Sequence, residues 1–214
     1  PRVTRNIPLG GRPDEMPHID YYLATISPNC YFAGTRPAEV AAKHGCTITY
    51  KPLDIMALFG RTGGTPPGQR HPSRQEYRLI EIERTAELLE VPVNAKPAFW
   101  PTNPAPSSYA VIAAQTAGGG DLAALVAEIT AACWRDEKNI AEDDVIKACL
   151  EAAGFDPSLA DSGLLSGAQA YEQNLEDAVN AGVFGAPFFV TDDGARFWGQ
   201  DRIDALDRHL AAQT

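Results

Sequence analysis

Strand texture occurs only near the two ends of this 214-residue chain, and the long stretch between them reads as helix. "HIDYYLATIS" (18–27) is short, apolar and rich in β-formers, as a buried strand should be, and "CTITYKPLDI" (46–55) alternates and is rich in Thr and Ile. Between them "NCYFAGTRPAEVAAKHG" (29–45) has helical spacing, with Pro37 bending the helix or starting a second piece. Two strands joined by a helix make a parallel βαβ unit. The next strand signal is "APFFVTDDGARFWG" (186–199), two apolar runs around Asp193-Gly194, a hairpin pattern. Any sheet must therefore be assembled from both ends of the chain.

The middle supplies the rest. "MALFGRTGGTPPGQRHP" (56–72) reads as a loop dense in Gly and Pro. Ser73-x-x-Glu76 is a capping box that opens an amphipathic helix over 73–90. After a Pro-rich connector (92–106), helices follow over 108–117, 121–137 and 142–154, then a short one capped by Asp156-Pro157, then 167–182. "QDRIDALDRHLAA" (200–212) closes as a helix. The order is β-α-β, helical insert, α-β-β-α. The expected fold class is α/β, a thioredoxin fold with a large all-helical insertion after the second strand. The expected organisation is an irregular arm over 1–17, a thioredoxin-like domain built from 18–60 and 166–214, and an inserted helical domain over 61–165.

Composition narrows the partners. Hydrophobic residues make up 44% and charged residues 21%, which reads as soluble and globular, and no apolar run is long enough to span a bilayer. A net charge of −10 argues against nucleic acid or an anionic membrane. The start is polar and lacks the hydrophobic core of a signal peptide, although the chain opens on Pro1 and a leader ahead of it stays open. Cys30, Cys46, Cys133 and Cys149 form no framework, which fits a reducing, cytoplasmic setting with most thiols buried. The four histidines share no ligand spacing with each other or with the cysteines, so no metal is expected.

Chemistry concentrates at Ser27-Pro28-Asn29-Cys30, where the first strand runs into the first helix. A residue there sits under unpaired N–H groups and the positive end of a helix dipole, which lowers a cysteine's pKa. Ser27 cannot ionise at neutral pH or form a disulfide with Cys30. What remains is a place that stabilises a thiolate, with a hydroxyl to donate to it, so the thiolate comes from outside. The abundant small cytosolic thiol is glutathione. The alternative is that Ser27 only caps a helix. Cys30, one turn further in, reads as packing. Pro187 opens a strand and fits a cis bond after Ala186, with a trans edge-strand proline as the alternative. Gln200 and Asp201 lead into the last helix, either as ordinary capping or as a binding site for an amino-acid head group.

Taken together, strand-S-P-x-x-Y, G-x-P-F-F-V and F-W-G-Q-D-R around a helical insert resemble the DsbA-related group of 2-hydroxychromene-2-carboxylate isomerases and kappa-class glutathione transferases. "WRDEKNIAEDDVI" (134–146) and Tyr50-Lys51-Pro52-Leu53 match as well. The resemblance implies a homodimer that uses glutathione on a small aromatic acid, a hemiketal opening to an enone acid. The alternatives it carries are a kappa-like transferase or peroxidase and a DsbA-like thiol–disulfide oxidoreductase. It further implies that Ser27 holds the glutathione sulfur, that the Ala186 backbone beside Pro187 pairs with the cysteinyl part, and that Gln200 and Asp201 bind the γ-glutamyl end. Lys51, Phe59, Trp100 and Asn103 fall where the isomerases line their substrate pocket. The family's loop lysine is absent, with Gly60 at its position, and Arg61 or Lys51 stands in as the expected carboxylate partner.

Overall fold

The computed structural model describes residues 16–213, so the arm expected over 1–17 lies almost wholly outside the described residues. The sheet has four strands in the order β2-β1-β3-β4. β1 (His18–Leu23) runs parallel to β2 (Thr47–Pro52) and antiparallel to β3 (Phe188–Thr191), which pairs antiparallel with β4 (Arg196–Trp198). β1 is central because its residues can be buried on both faces, and Tyr21, Tyr22 and Leu23 are fully buried. Tyr21 lies between Tyr50 and Phe189 in register, with ring centroids 5.3 and 4.8 Å away. Such aromatic neighbours hold register beyond the ladder bonds themselves.

The β1-to-β2 crossover is two helices, α1 (Pro28–Ala33) and α2 (Arg36–Lys43), with Gly34 at positive φ between them. Pro37 falls in the first turn of α2, where its missing N–H costs nothing. The stretch after β2 departs from the expected loop. Ile55–Thr62 is a helix, α3, whose N-cap Asp54 accepts from the N–H groups of Met56 and Ala57 and whose end is turned by Gly63 in the left-handed region. Apart from Gly60, which the helix contains, its glycines and prolines lie beyond the helix. Ile55 and Leu58 bury one face, which outweighs the loop-like composition of the whole stretch.

α4 (Pro72–Leu89) starts two residues earlier than a capping box with Ser73 as its cap sets. His71 is the cap, its Nδ1 accepting from the Ser73 N–H, because Pro72 takes the first helical position and leaves Ser73 inside. α5 (Ala105–Ala117), α6 (Leu122–Trp134), α7 (Asp143–Ala152) and the short α8 (Leu159–Ser162) complete the helical stretch. α9 (Leu164–Asn180) leads back to the sheet, and α10 (Ile203–Ala211) closes the chain. Among the described residues no helix is long and apolar enough to cross a membrane.

Several contacts tie the helical stretch to the sheet and the turn that follows β1, the Gln115 amide pairing with the Tyr50 backbone of β2 among them. The indole N–H groups of Trp100 and Trp134 both donate to the Ile26 carbonyl, at 3.1 and 3.3 Å, just past the end of β1. On the other side of the helical stretch, α9 packs against α5 at very short range. A Cβ at Gly167 would stand 2.7 Å from the Tyr109 Cβ and 2.9 Å from its Cα.

That approach yields a stability test. An exposed Gly→Ala in a helix gains about 1 kcal/mol of propensity. Gly167→Ala instead forces α5 and α9 apart, and overpacking costs about 1–3 kcal/mol. A urea melt should show the variant destabilised by up to about 2 kcal/mol net. A midpoint above that of the unaltered protein would mean that the two helices are not in such close contact.

Candidate active site

The turn from β1 into α1 is closed by the Ser27 N–H donating to the Ala24 carbonyl at 2.9 Å. It leaves Ser27 as the N-cap of α1, with Pro28 at the first helical position. The Ser27 hydroxyl accepts from the Cys30 N–H and donates to the Ala186 carbonyl, both at 3.4 Å. These are long, weak contacts, so the hydroxyl can turn to a better acceptor at small cost. The Ala186–Pro187 peptide is cis, as the strand-opening proline suggests. It brings the half-buried Ala186 beside Ser27, and among the described residues the Ala186 N–H has no partner.

A cavity of about 180 Å³ opens here. Ser27, Asn29 and Ala186 give it a polar edge. Ile55, Met56 and Phe59 of α3 form one apolar wall and Trp100 another. Gly185 is needed on the rim because the Trp198 indole occupies the space a Cβ would take. Past Asn29 the cavity runs into a wider groove of about 760 Å³ between α1, α4 and the turn before α10. Gln200 and Asp201 lie in that groove. The Gln200 Oε1 accepts from Arg36 at 2.7 Å, and the exposed Asp201 carboxylate has, among the described residues, Arg202 as its ion-pair partner, at 3.6 Å.

The structure thus brings Ser27, Phe59, Trp100, Ala186, Gln200 and Asp201 to one connected cleft, with Pro187 next to it through the cis bond to Ala186. It does not bring Lys51, Arg61 or Asn103 there. Lys51 is held by Asp177 of α9 at 3.1 Å and Asp20 at 3.4 Å, and its ammonium sits over the Tyr22 ring. Arg61 is two positions beyond Phe59, about 200° around the helix, and pairs with Glu176 of α9. The exposed Asn103 accepts from the Ala105 N–H and caps the start of α5. The two expected carboxylate partners are therefore neutralised by acids of α9, on the side of the molecule away from the cavity lining.

Sequence reasoning missed the cations that line the smaller cavity, Arg70 and Arg78. Arg78 lies over the Trp100 ring at 4.4 Å and the Trp134 ring at 5.7 Å. Burial pushes its guanidinium down to about 10, with a smaller push from Arg70, and it stays charged at neutral pH. A signal was available. Arg78 is four residues before the buried Ile82 and eight before the buried Ala86, so helical spacing puts a cation on the inward stripe. Cys30 is fully buried and burial pushes its thiol up to about 11, so it packs and does not attack at neutral pH.

Comparison with known proteins agrees with this architecture. The model of the DsbA-like thioredoxin domain family matches residues 18–211. A 2-hydroxychromene-2-carboxylate isomerase of Sphingobium xenophagum is 29% identical over 195 residues, covering 90% of this chain and 97% of the relative. Glutathione S-transferase kappa 1 of Caenorhabditis elegans is 28% identical over 209 residues, covering 90% of each. A solved structure of a 2-hydroxychromene-2-carboxylate isomerase superposes with a TM-score of 0.74 at 23% identity, over 92% of this chain and 95% of that one, and so shares the fold. With strand order, cis-proline and helical stretch all in place, the chain belongs to the DsbA-like thioredoxin domain family.

Proposed function

We propose that this protein is a glutathione-dependent isomerase of the 2-hydroxychromene-2-carboxylate type, converting a hemiketal into a trans enone acid during breakdown of aromatic compounds. The observation that carries the reading is the Ser27 hydroxyl, weakly engaged, at the edge of an apolar cavity and beside the free Ala186 N–H. The residues present fit glutathione. A peptide can pair with the Ala186 backbone, and the Asp201 carboxylate can take an ammonium while the Gln200 amide lies next to it. When bound, glutathione supplies a thiolate able to add reversibly to an enone and so free its double bond to rotate.

The chain's own residues do the rest. Ser27 donates a hydrogen bond to the sulfur and keeps it anionic, a charge-assisted contact stronger than a neutral one. Ile55, Met56, Phe59 and Trp100 receive an aromatic ring and exclude water, which strengthens each polar contact at the edge. Four free cysteines suit a reducing compartment such as the cytoplasm. The isomerase relatives favour this reaction class, and the kappa transferase relative favours the runner-up, glutathione transfer to an electrophile at the same sulfur site.

Two variants test the sulfur site. Ser27→Ala removes one charge-assisted hydrogen bond, worth roughly 1.5–3 kcal/mol. Isomerisation of 2-hydroxychromene-2-carboxylate with glutathione should slow by roughly 10- to 150-fold, with the fold intact and the thermal midpoint lowered only by the few degrees (about 2–4 °C) that a lost helix cap costs. Turnover equal to that of the unaltered enzyme would remove Ser27 from the chemistry. Ser27→Cys places a thiol where the weakly engaged hydroxyl stands. Its titration, followed by thiolate absorbance, should fall below the free value of about 8.5. Mild oxidation should then remove two hydrogens as it links to Cys30. A free-like titration would show that this turn does not stabilise a thiolate.

A further inference from the structure

We infer that Arg78, with Arg70, binds the carboxylate of the substrate acid and selects an aromatic or unsaturated organic anion over its neutral analogues. The inference deepens the isomerase reading and rests on it for the identity of the substrate. It assigns the carboxylate to residues of α4 and the turn before it, in place of Lys51 and Arg61.

The case begins with charge. The chain carries −10 overall, and several cations elsewhere are matched to acids: Lys43 to Asp207, Lys51 to Asp177 and Asp20, Arg61 to Glu176, Arg135 to Asp136, Lys147 to Asp161. Arg36, which borders the wider groove, donates to the Phe32 carbonyl and to Gln200. Among the described residues, neither Arg70 nor Arg78 has a carboxylate within ion-pair distance. Glu81 shares their groove but pairs with Arg84. Arg70 spends its Nε–H on the Thr65 carbonyl and sits over the Phe59 ring at 6.0 Å. The Arg78 guanidinium has no hydrogen-bond acceptor among the described residues, only tryptophan faces.

Two like charges held near each other, one of them largely withdrawn from water, are unfavourable unless something offsets them. Cation–π contact with Trp100 and Trp134 offsets part of the cost and fixes the plane of the guanidinium, but it leaves the N–H donors unused. A planar fork of free donors is matched by a carboxylate, which accepts two of them at once. Both arginines also line the smaller cavity, along with Ile55, Met56, Phe59 and Trp100. An inorganic anion would leave those walls uncovered, whereas an acid attached to an aromatic ring covers them. Glu81, Asp201 and Asp204 lie in the wider groove, which both arginines also border, whereas no acid lines the smaller cavity.

The test is binding, measured apart from turnover. Benzylidenepyruvate and its methyl ester are titrated calorimetrically into the unaltered protein, Arg78→Gln and Arg70→Gln. Each titration is run with and without S-methylglutathione, which cannot add to an enone. Glutathione binding is measured separately. The acid should bind the unaltered protein more tightly than the ester, and each substitution should weaken the acid roughly 10- to 100-fold. Ester and glutathione affinities should change by less than about twofold on the same scale. If Arg78→Gln fails to fold, because its side chain packs on two tryptophans, Arg70→Gln in the preceding turn decides the matter alone. Equal weakening of acid and ester would overturn the inference and leave the arginines as packing groups. Loss of glutathione with the acid unaffected would overturn it too, assigning them to the cofactor. Discrimination of acid from ester by an enzyme that binds no glutathione would support the anion pair while ending the isomerase reading.

Discussion

The Ile26 carbonyl is the point on which this site depends. It lies one residue before Ser27 and accepts two indole N–H groups, from Trp100 in the connector and from Trp134 at the end of α6. A buried carbonyl has two lone pairs, and here both are used by donors that stand on other parts of the chain. The contacts cross sequence distances of 74 and 108 residues. They therefore fix the Ser27 turn against the helical stretch, and the cavity wall is set by the same contact that sets the hydroxyl. Loss of either indole leaves a buried acceptor partly unsatisfied, which costs about 1–3 kcal/mol before any packing is counted. Trp134 is completely buried, so its replacement would add a cavity as well.

The same two tryptophans carry Arg78 on their faces. One edge of each indole orients the backbone before Ser27, and the ring faces orient a cation at the opposite wall. Ser27 and the cation are thus placed by a shared rigid pair, with ring centroids 5.7 Å apart. A cleft that holds two molecules, as the proposed function requires, would gain from such common support, because their separation is preserved.

Much of this was legible from local pattern. The strands, the hairpin around Asp193-Gly194, the split of the crossover helix near Pro37 and the Ser27 cap all follow from spacing and from residues with few conformational choices. What was not legible depended on long-range pairing. Composition made 56–72 a loop, yet Asp54 caps a helix over Ile55–Thr62 because its apolar face has something to cover. Lys51 and Arg61 looked available as free cations, and only the return of α9 to the sheet shows that Asp177 and Glu176 already hold them. Arg78 had a local sign in its place on the inward stripe of α4, but its meaning required knowing that Trp100 and Trp134 meet there. Side chains that serve backbone geometry can be read from the sequence, whereas those that serve charge balance cannot, since their partners are chosen by the fold.

The exchange of cysteine for serine at position 27 can be weighed with the same arithmetic. A lone Cys30 with its thiol pushed up to about 11 by burial is ionised at neutral pH in about one molecule in ten thousand. It cannot carry thiol–disulfide exchange at a useful rate. The turn is nevertheless intact, with the Ser27 hydroxyl turned toward Ala186 and, among the described residues, an unpartnered N–H beside it. Serine keeps the hydrogen-bond donor while removing the internal sulfur that would compete with the external thiolate we propose. In the dithiol design the protein's own sulfur is consumed and must be regenerated by a reductant. Under the proposed function the sulfur is brought in and released unchanged, which suits a reaction without net oxidation, such as isomerisation.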